Sequence, residues 1–450
     1  MADRQRKVMV VSLGCAKNLV DTEVMCGSLA VGGYMLTNVP EEADVVLINT
    51  CGFIADARAE AEQEIRDALE WRLEKKSRRL AVAGCLPQRD LQGTREAFPG
   101  VDLFLGLDDV PRAAALFDTL FSGGKNADTA SAFDSPAYIY DSAAPRLQLT
   151  PANYAYVKIA EGCDHRCAFC AIPGIRGRQR SRPIDDIVAE CRQLLAGGAL
   201  ELNLIAQDTT RYGRDLADGT TLAKLLRACE ERLDGDFWIR VLYTHPRYFD
   251  DDLIAAYQAC PRLVPYVDIP LQHISDTVLQ AMGRGCSEEE TRTLMERLRT
   301  DIPGVIIRTT FLVGFPGETA ADFDRLRDYV QTFEFDRLGV FAFSPEAGTP
   351  AARITEGLVP AETAAARRDA LMEIQRSISR RRNEALVGQR VTVLVEGMDA
   401  DGNHIGRTAA DAPEVDNLVA FTAPDGWRAD GFARVSVSAA SDYDLTGRLV

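Results

Sequence analysis

Eleven cysteines lie in this chain of 450 residues, and three of them sit within one short stretch, Glu161-Gly-Cys-Asp-His-Arg-Cys-Ala-Phe-Cys170. Cys163, Cys167 and Cys170 have the spacing C-x-x-x-C-x-x-C. A closed structural zinc site needs four ligands, and His165 could be the fourth. The usual zinc signature, however, places two close pairs far apart. An iron–sulfur cluster held by three thiolates keeps one iron without a protein ligand, and an open iron can bind a substrate or cofactor.

Cys15, Cys51 and Cys85 form a second set, at intervals of 51 − 15 = 36 and 85 − 51 = 34 residues. Each interval is about the length of one βαβ unit. Each cysteine also follows a short apolar run: Lys7–Gly14, Val45–Thr50 and Leu80–Gly84. Such runs suit buried parallel strands. In an open parallel sheet the carboxyl ends of the strands lie along one edge, where ligands bind, so three cysteines placed there converge. The plainer alternative is three buried free cysteines, which are common in cores. Cys26, Cys191, Cys229, Cys260 and Cys286 have no partners at metal spacing and read as structural. An odd cysteine count without a secretion signal argues against a disulfide framework.

Other residues could serve a cofactor. Arg176, Arg178, Arg180 and Arg182 follow the cysteine loop, and one or two could grip a carboxylate bidentately; a solvated basic turn explains them as well. Val313-Gly314-Phe315-Pro316-Gly317-Glu318 ends a strand and opens a helix, where glycines admit close backbone approach and fresh amides face outward. Gln207-Asp208-Thr209-Thr210 and Gln272-His273 end two further strands and are either pocket lining or ordinary loop starts.

The elements that must position these groups fall into three blocks. Residues 1–122 alternate strand and helix, with helices expected at Asp21–Val31, Asp56–Lys76 and Asp90–Ala97 and a strand at Val101–Gly106, a small doubly wound α/β domain. Residues 123–150 read as a linker rich in turn formers. Within 151–383 six strands are expected, Tyr154–Ala160, Glu201–Ala206, Trp238–Thr244, Tyr266–Leu271, Val305–Val313 and Arg337–Phe343, separated by helices. Six β/α units make a partial (βα)-barrel whose chemistry sits at the strand C-termini. A helix over Ala361–Val387 follows. Residues 384–450 carry strand runs at Val391–Glu396, Gly402–Arg407, Leu418–Phe421 and Gly431–Ser438, a small antiparallel β-barrel.

Charge narrows the partners. With 51 basic and 67 acidic side chains the net charge is −16, which repels phosphate backbones and favours a basic protein. The C-terminal block has 5 − 11 = −6. The stripe Arg376, Arg380, Arg381 and Arg382 is the best argument for RNA contact, although such runs are mostly solvated faces. Neither a signal peptide nor a long apolar segment is apparent, so a cytoplasmic protein without membrane attachment is expected.

The cysteine loop after the first strand of a six-unit barrel resembles the radical S-adenosylmethionine superfamily, and the upstream cysteines with the C-terminal β module are similar to its methylthiotransferases. Ser12–Glu23 (SLGCAKNLVDTE), Lys158–Pro183 and Tyr266–His273 (YVDIPLQH) resemble the RimO branch, which modifies ribosomal protein S-twelve; Ala16 stands where that branch commonly has proline. The resemblance implies two 4Fe-4S clusters. Cys163, Cys167 and Cys170 would hold the one that chelates S-adenosylmethionine and yields a deoxyadenosyl radical. Cys15, Cys51 and Cys85 would hold an auxiliary cluster carrying the sulfur. A second S-adenosylmethionine would give the methyl group, and the product would be a β-methylthioaspartate. Phe169, Arg176, Gln207, Gly314 and Glu318 would contact the cofactor. The C-terminal block would be a TRAM-like barrel that docks substrate, and a flavodoxin or ferredoxin would donate electrons. No general acid or base is implied. The same reaction on a tRNA adenosine, and a non-catalytic iron–sulfur or zinc protein, remain the alternatives.

Overall fold

The computed structural model describes residues 5–121, 132–424, 426–429 and 431–450. In the N-terminal region, strands β1 (Lys7–Ser12), β2 (Met35–Leu36), β3 (Val45–Thr50), β4 (Arg79–Gly84) and β5 (Leu103–Leu105) form a parallel sheet in the order β2-β1-β3-β4-β5. The order reverses between β1 and β3, as in doubly wound folds, and the strand ends there face outward together. Period-two alternation fills both faces. Val45 and Leu47 pack under the helices Ala16–Val31 and Ala113–Phe121, while Val46 and Ile48 pack under Ala55–Leu73.

The central region holds β6 (Tyr154–Lys158), a small hairpin of β7 (Ala160–Glu161) with β8 (Arg180–Ser181), and then β9 (Glu201–Ile205), β10 (Trp238–Val241), β11 (Leu263–Asp268), β12 (Ile306–Val313) and β13 (Arg337–Ala342). The six long strands are all parallel, in the order β13-β12-β11-β10-β9-β6, and form an open sheet rather than a closed barrel. Its outer face packs on helices through Val157, Leu204 and Val241. Its inner face carries Tyr154, Tyr156 and Tyr266, whose core is continuous with that of the N-terminal helix Ala16–Val31.

The last strands, β14 (Arg390–Met398), β15 (His404–Arg407), β16 (Val419–Thr422), β17 (Phe432–Ala440) and β18 (Leu445–Leu449), close a barrel. The expectation of four antiparallel strands needs correction: there are five, and β16 pairs with β18 in parallel. The fifth was hidden by Gly447, where a Cβ would lie 2.5 Å from Val435 Cγ1, so the closure requires a residue that weakens the strand signal.

Ion pairs join the three regions. Arg146, in the irregular segment 132–150, links Glu23 of the N-terminal domain (2.5 Å) to Glu190 of a barrel helix (2.6 Å). Glu346 joins the loop after β13 to Arg58 and Arg89. Fully buried Glu201 at the start of β9 pairs with Arg240 (2.7 Å) and with Arg407 of the C-terminal barrel (2.5 Å). No helix among the described residues is long and apolar enough to cross a membrane.

Candidate active site

Glycine geometry explains how the first three cysteines meet. Gly14 precedes Cys15 with φ +90°, and a Cβ there would lie 2.8 Å from Cys51 Cβ. Gly84 precedes Cys85 with φ +95°, and a Cβ there would lie 2.2 Å from Asn49 Oδ1. Only glycine adopts such conformations in such confined space without strain. Cys15 is the extended N-cap of the helix Ala16–Val31, Cys51 follows β3 directly, and Cys85 opens a helix directly after β4. Asn18 Nδ2 donates to Leu13 O (2.7 Å) and Asn49 Nδ2 donates to Asn18 O (2.8 Å), fixing the β1 and β3 ends together.

The second set sits on a loop tied down from several sides. The β7–β8 hairpin closes it at its base, the Cys163 amide donates to Gly177 O (3.0 Å), and the Ala168 amide donates to Met282 O (2.8 Å). His165 Nε2 lies 2.6 Å from Asp208 Oδ2, and its ring stacks on His245 at 4.2 Å. Burial, with Arg284 and His165 nearby, pushes the His245 pKa far down, so that imidazole is neutral. His165 thus commits one ring nitrogen to a carboxylate, an arrangement that orients the ring and is also the one found in metal-bound histidines. Among the described residues, no cluster of histidine, cysteine and carboxylate side chains converges on a single-ion site.

Both cysteine sets line one cavity of about 460 Å³ between the N-terminal sheet edge and the barrel mouth. Arg176 is buried against it: Nη2 lies 3.3 Å from Cys85 Sγ, while Nη1 pairs with Glu161 (2.9 Å) and Asp21 (3.1 Å). Lys158 shares the same two carboxylates, so two cations face two anions. Arg284 Nη1 approaches Cys167 Sγ at 3.7 Å. Burial pushes the thiols of Cys85 and Cys163 up to about 11 and that of Cys170 up to about 12. Burial acts likewise on Cys15, but Lys17 and Arg176 outweigh it and lower its pKa. Three thiols per set, spread around a cavity wall and faced by guanidinium groups, form a donor set suited to an anionic iron–sulfur cluster.

The expected cofactor contacts divide. Phe169, Arg176 and Gln207 line the cavity, and Gln207 Nε2 donates to Glu161. Arg176 is already engaged, Nη1 by Asp21 and Glu161 and Nη2 by Asn18 Oδ1 and Cys85 Sγ. Gly314 and Glu318 are not among the cavity-lining residues. The Glu318 carboxylate accepts from the Gly314 and Phe315 amides and pairs with Arg367 at 2.9 Å, and a Cβ at Gly314 would lie 2.4 Å from Ala364 Cβ. That turn seats the helix Ala361–Glu384 against the barrel. Gln272 also lines the cavity, whereas fully buried His273 accepts from the Ser275 amide and serves its own turn. Arg178 is exposed, Arg180 donates to backbone carbonyls, and Arg182 is buried against Asp186 and Glu190. In the stripe, Arg376 pairs with Glu373, Arg380 with Glu384, Arg381 with Glu334 and Arg382 with Asp336, which leaves little free charge for RNA.

Lys17, Tyr243 and Arg284 are among the cavity residues that escaped the sequence reading. Lys17 Nζ lies 3.2 Å from the Tyr243 ring centroid. Position beside Cys15 and just past β10 was the only available signal for the first two.

Residues 7–106 match the uncharacterized protein family UPF0004, residues 157–330 the radical SAM superfamily and residues 387–450 the TRAM domain. The chain is 44% identical over 450 residues to the ribosomal protein uS12 methylthiotransferase RimO of Trichlorobacter lovleyi, covering 99% of this chain and 98% of that one. It is 41% identical over 452 residues to RimO of Geobacter sulfurreducens, with complete coverage of both. Among solved structures it resembles the radical S-adenosylmethionine methyltransferase TsrM of Kitasatospora setae (TM-score 0.56, 18% identity, 77% of each chain). It also resembles the cobalamin-dependent radical enzyme OxsB (TM-score 0.53, 12% identity, 82% of this chain and 56% of that one). At those identities the two structures speak for the fold alone.

Proposed function

This chain belongs to the RimO family of ribosomal protein uS12 methylthiotransferases within the radical SAM superfamily, and from that premise we propose that it replaces a β-hydrogen of one uS12 aspartate by a methylthio group. The observation that carries the reading is the single cavity walled by both cysteine sets. Cys163, Cys167 and Cys170 would hold one 4Fe-4S cluster and Cys15, Cys51 and Cys85 a second, which with S-adenosylmethionine would supply radical hydrogen abstraction, sulfur and the methyl group.

The chain's own part is placement and electrostatics. Arg176 and Lys158 offset Asp21 and Glu161 and so keep the wall behind the upstream cysteines neutral overall. Arg284 is anchored by Pro270 O at 2.5 Å and faces Cys167. Phe169 and Gln207 border the space for S-adenosylmethionine. Enclosure of a reactive centre in a buried cavity limits side reactions with water. The acidic C-terminal barrel attracts a basic ribosomal protein and repels tRNA. A flavodoxin or ferredoxin supplies electrons, and the reaction takes place in the cytoplasm. The test is mass spectrometry of small-subunit ribosomal proteins with and without this gene. Loss of a methylthio mass increment from uS12 in the deletion supports the reading. Its persistence there, with loss of a methylthio nucleoside from tRNA, overturns it.

A further inference from the structure

Lys17 differs from the other buried cations of this region. Arg146, Lys158, Arg176 and Arg182 are each paired with carboxylates at 2.5–3.1 Å. Lys17 is only 8% exposed and lines the cavity, yet among the described residues no carboxylate lies within ion-pair distance of it. Its contact is the face of Tyr243, at 3.2 Å. Apart from the Cys15 thiol, whose ionisation it favours, Lys17 has no anionic partner among the described residues, and a ring face offsets only part of the cost of burying a cation.

The support beneath Lys17 is itself held in an unfavourable shape. Tyr243 has φ +62°, rare for a bulky side chain. Asp268 Oδ2 accepts its amide at 2.8 Å, and the ring is thereby directed under Lys17. Backbone strain maintained by neighbouring groups is a recurrent feature of ligand sites. Lys17 also lies in the first turn of the helix Ala16–Val31, whose positive end favours an anion.

We propose that Lys17 is the counter-charge for the side-chain carboxylate of the uS12 aspartate that is modified, an inference that rests on the reading above. That carboxylate is bonded directly to the carbon to be modified, so fixing it beside Cys15 also fixes the reacting carbon beside the upstream cysteines. S-adenosylmethionine carries a carboxylate too. Lys17 stands in the first turn of the helix that Cys15 caps, on the N-terminal domain, whereas Cys163, Cys167 and Cys170 lie on the loop between β7 and β8 of the barrel. The substrate is therefore the better match.

The test is a double-mutant cycle on the reconstituted enzyme. Lys17→Met, Lys17→Arg and the parent are titrated with purified uS12 and with uS12 carrying asparagine at the aspartate located by the mass increment. Iron content and the visible absorbance of each preparation are recorded. The parent is expected to bind the aspartate form at least about tenfold more tightly than the asparagine form, the size of a charge-assisted hydrogen bond. Lys17→Met loses that discrimination at full iron content, and Lys17→Arg recovers part of it. A Lys17→Met enzyme that still discriminates overturns the proposal and assigns Lys17 to balancing the thiolates. Weakened S-adenosylmethionine binding with discrimination intact overturns it in favour of the cofactor carboxylate. If Lys17→Met does not load iron, the parent enzyme with the two uS12 forms still decides, because equal affinities refute the proposal. Absence of the mass increment on uS12 would instead overturn the underlying reading.

Discussion

Replacing Arg176 by methionine removes one of two cations from a buried group of four charges. Asp21 and Glu161 then share Lys158 alone, so one carboxylate is left without compensation between the N-terminal domain and the barrel. Breaking one side of a buried pair costs about 3–5 kcal/mol. For a transition with a urea slope of about 2–3 kcal/mol per molar, that moves the midpoint down by about 1–2.5 M. The sign of the pH dependence follows from Glu161. In the parent protein burial opposes its charged form, but Arg176 and Lys158 outweigh burial and hold its carboxyl well below the usual carboxylate range. Its stabilising contribution is therefore complete above the unfolded pKa of about 4.3 and fades only as pH falls below that value. The parent should be flat in this contribution between pH 7 and pH 5. In Arg176→Met burial of Glu161 is opposed by Lys158 alone, the folded pKa rises above the unfolded one, and a proton is taken up on folding. The deficit of the variant should shrink as pH is lowered from 7 to 5. Urea titrations of reconstituted enzyme at those two pH values provide the assay. An unshifted midpoint, or a deficit that does not change with pH, refutes the charge accounting.

Gly84→Ala should displace Cys85, since the added carbon would sit 2.2 Å from Asn49 Oδ1 and 2.6 Å from Thr50 O; iron content after reconstitution should fall by about half, and full loading would contradict it. Glu346→Gln should weaken the clamp on the partly exposed Arg58 and Arg89 by about 1.5–3 kcal/mol and speed proteolysis within 55–89. In the parent, burial opposes ionisation of Glu346 but the two arginines prevail, so this stabilisation persists above about pH 4.5 and is lost below it, visible as an acid-side fall in the melting temperature. Arg407→Met leaves buried Glu201 with Arg240 alone and Glu396 without its arginine, and should loosen the C-terminal barrel, read as faster cleavage after residue 384. Affinity for uS12 should fall steadily as salt rises, and a salt-independent value would remove the electrostatic argument for the acidic barrel.

The cysteine architecture was legible because each upstream cysteine ends an apolar run, and Val45–Thr50 is buried at every position, as a parallel strand with two covered faces must be. The helix after Cys15 was expected only from Asp21. Its first turns carry Lys17, Asn18, Asp21 and Glu23, all buried, and polar residues buried by partners from another domain erase the amphipathic period. The strand expected over Trp238–Thr244 stops at Val241, because the positive φ of Tyr243 breaks the extended chain. Two-residue β2 has too few positions to show any period. The arginine run after the cysteine loop looked uniform in sequence, yet burial divides it into a cavity residue at 176, an exposed one at 178 and a structural one at 182. Charge type was readable there, but the carboxylates that absorb the charge come from elsewhere in the chain.

The C-terminal barrel has a second role beyond the docking suggested by its charge. Its segment 408–417 inserts against the inner face of the central sheet, where fully buried Ala412 joins the core of Tyr154, Tyr156 and Tyr266. Asp411 pairs with Arg337, and Asp416 lies 3.3 Å from Arg308. Arg308 in turn meets Asp268 at 3.2 Å, and Asp268 holds the amide of Tyr243, whose ring supports Lys17. Three carboxylates and two arginines, drawn from the central sheet and the C-terminal barrel, thus form the floor beneath the cavity. Sequence distance conceals such a group, because no local period connects residue 17 with 243, 268, 308 and 416. The floor also gives the barrel insertion a consequence for chemistry. A substitution at Asp416 removes a partner from Arg308, which then competes for Asp268 and loosens its hold on Tyr243. The strained tyrosine can relax toward an extended conformation, so Lys17 loses its platform without any change to the cysteines that surround it.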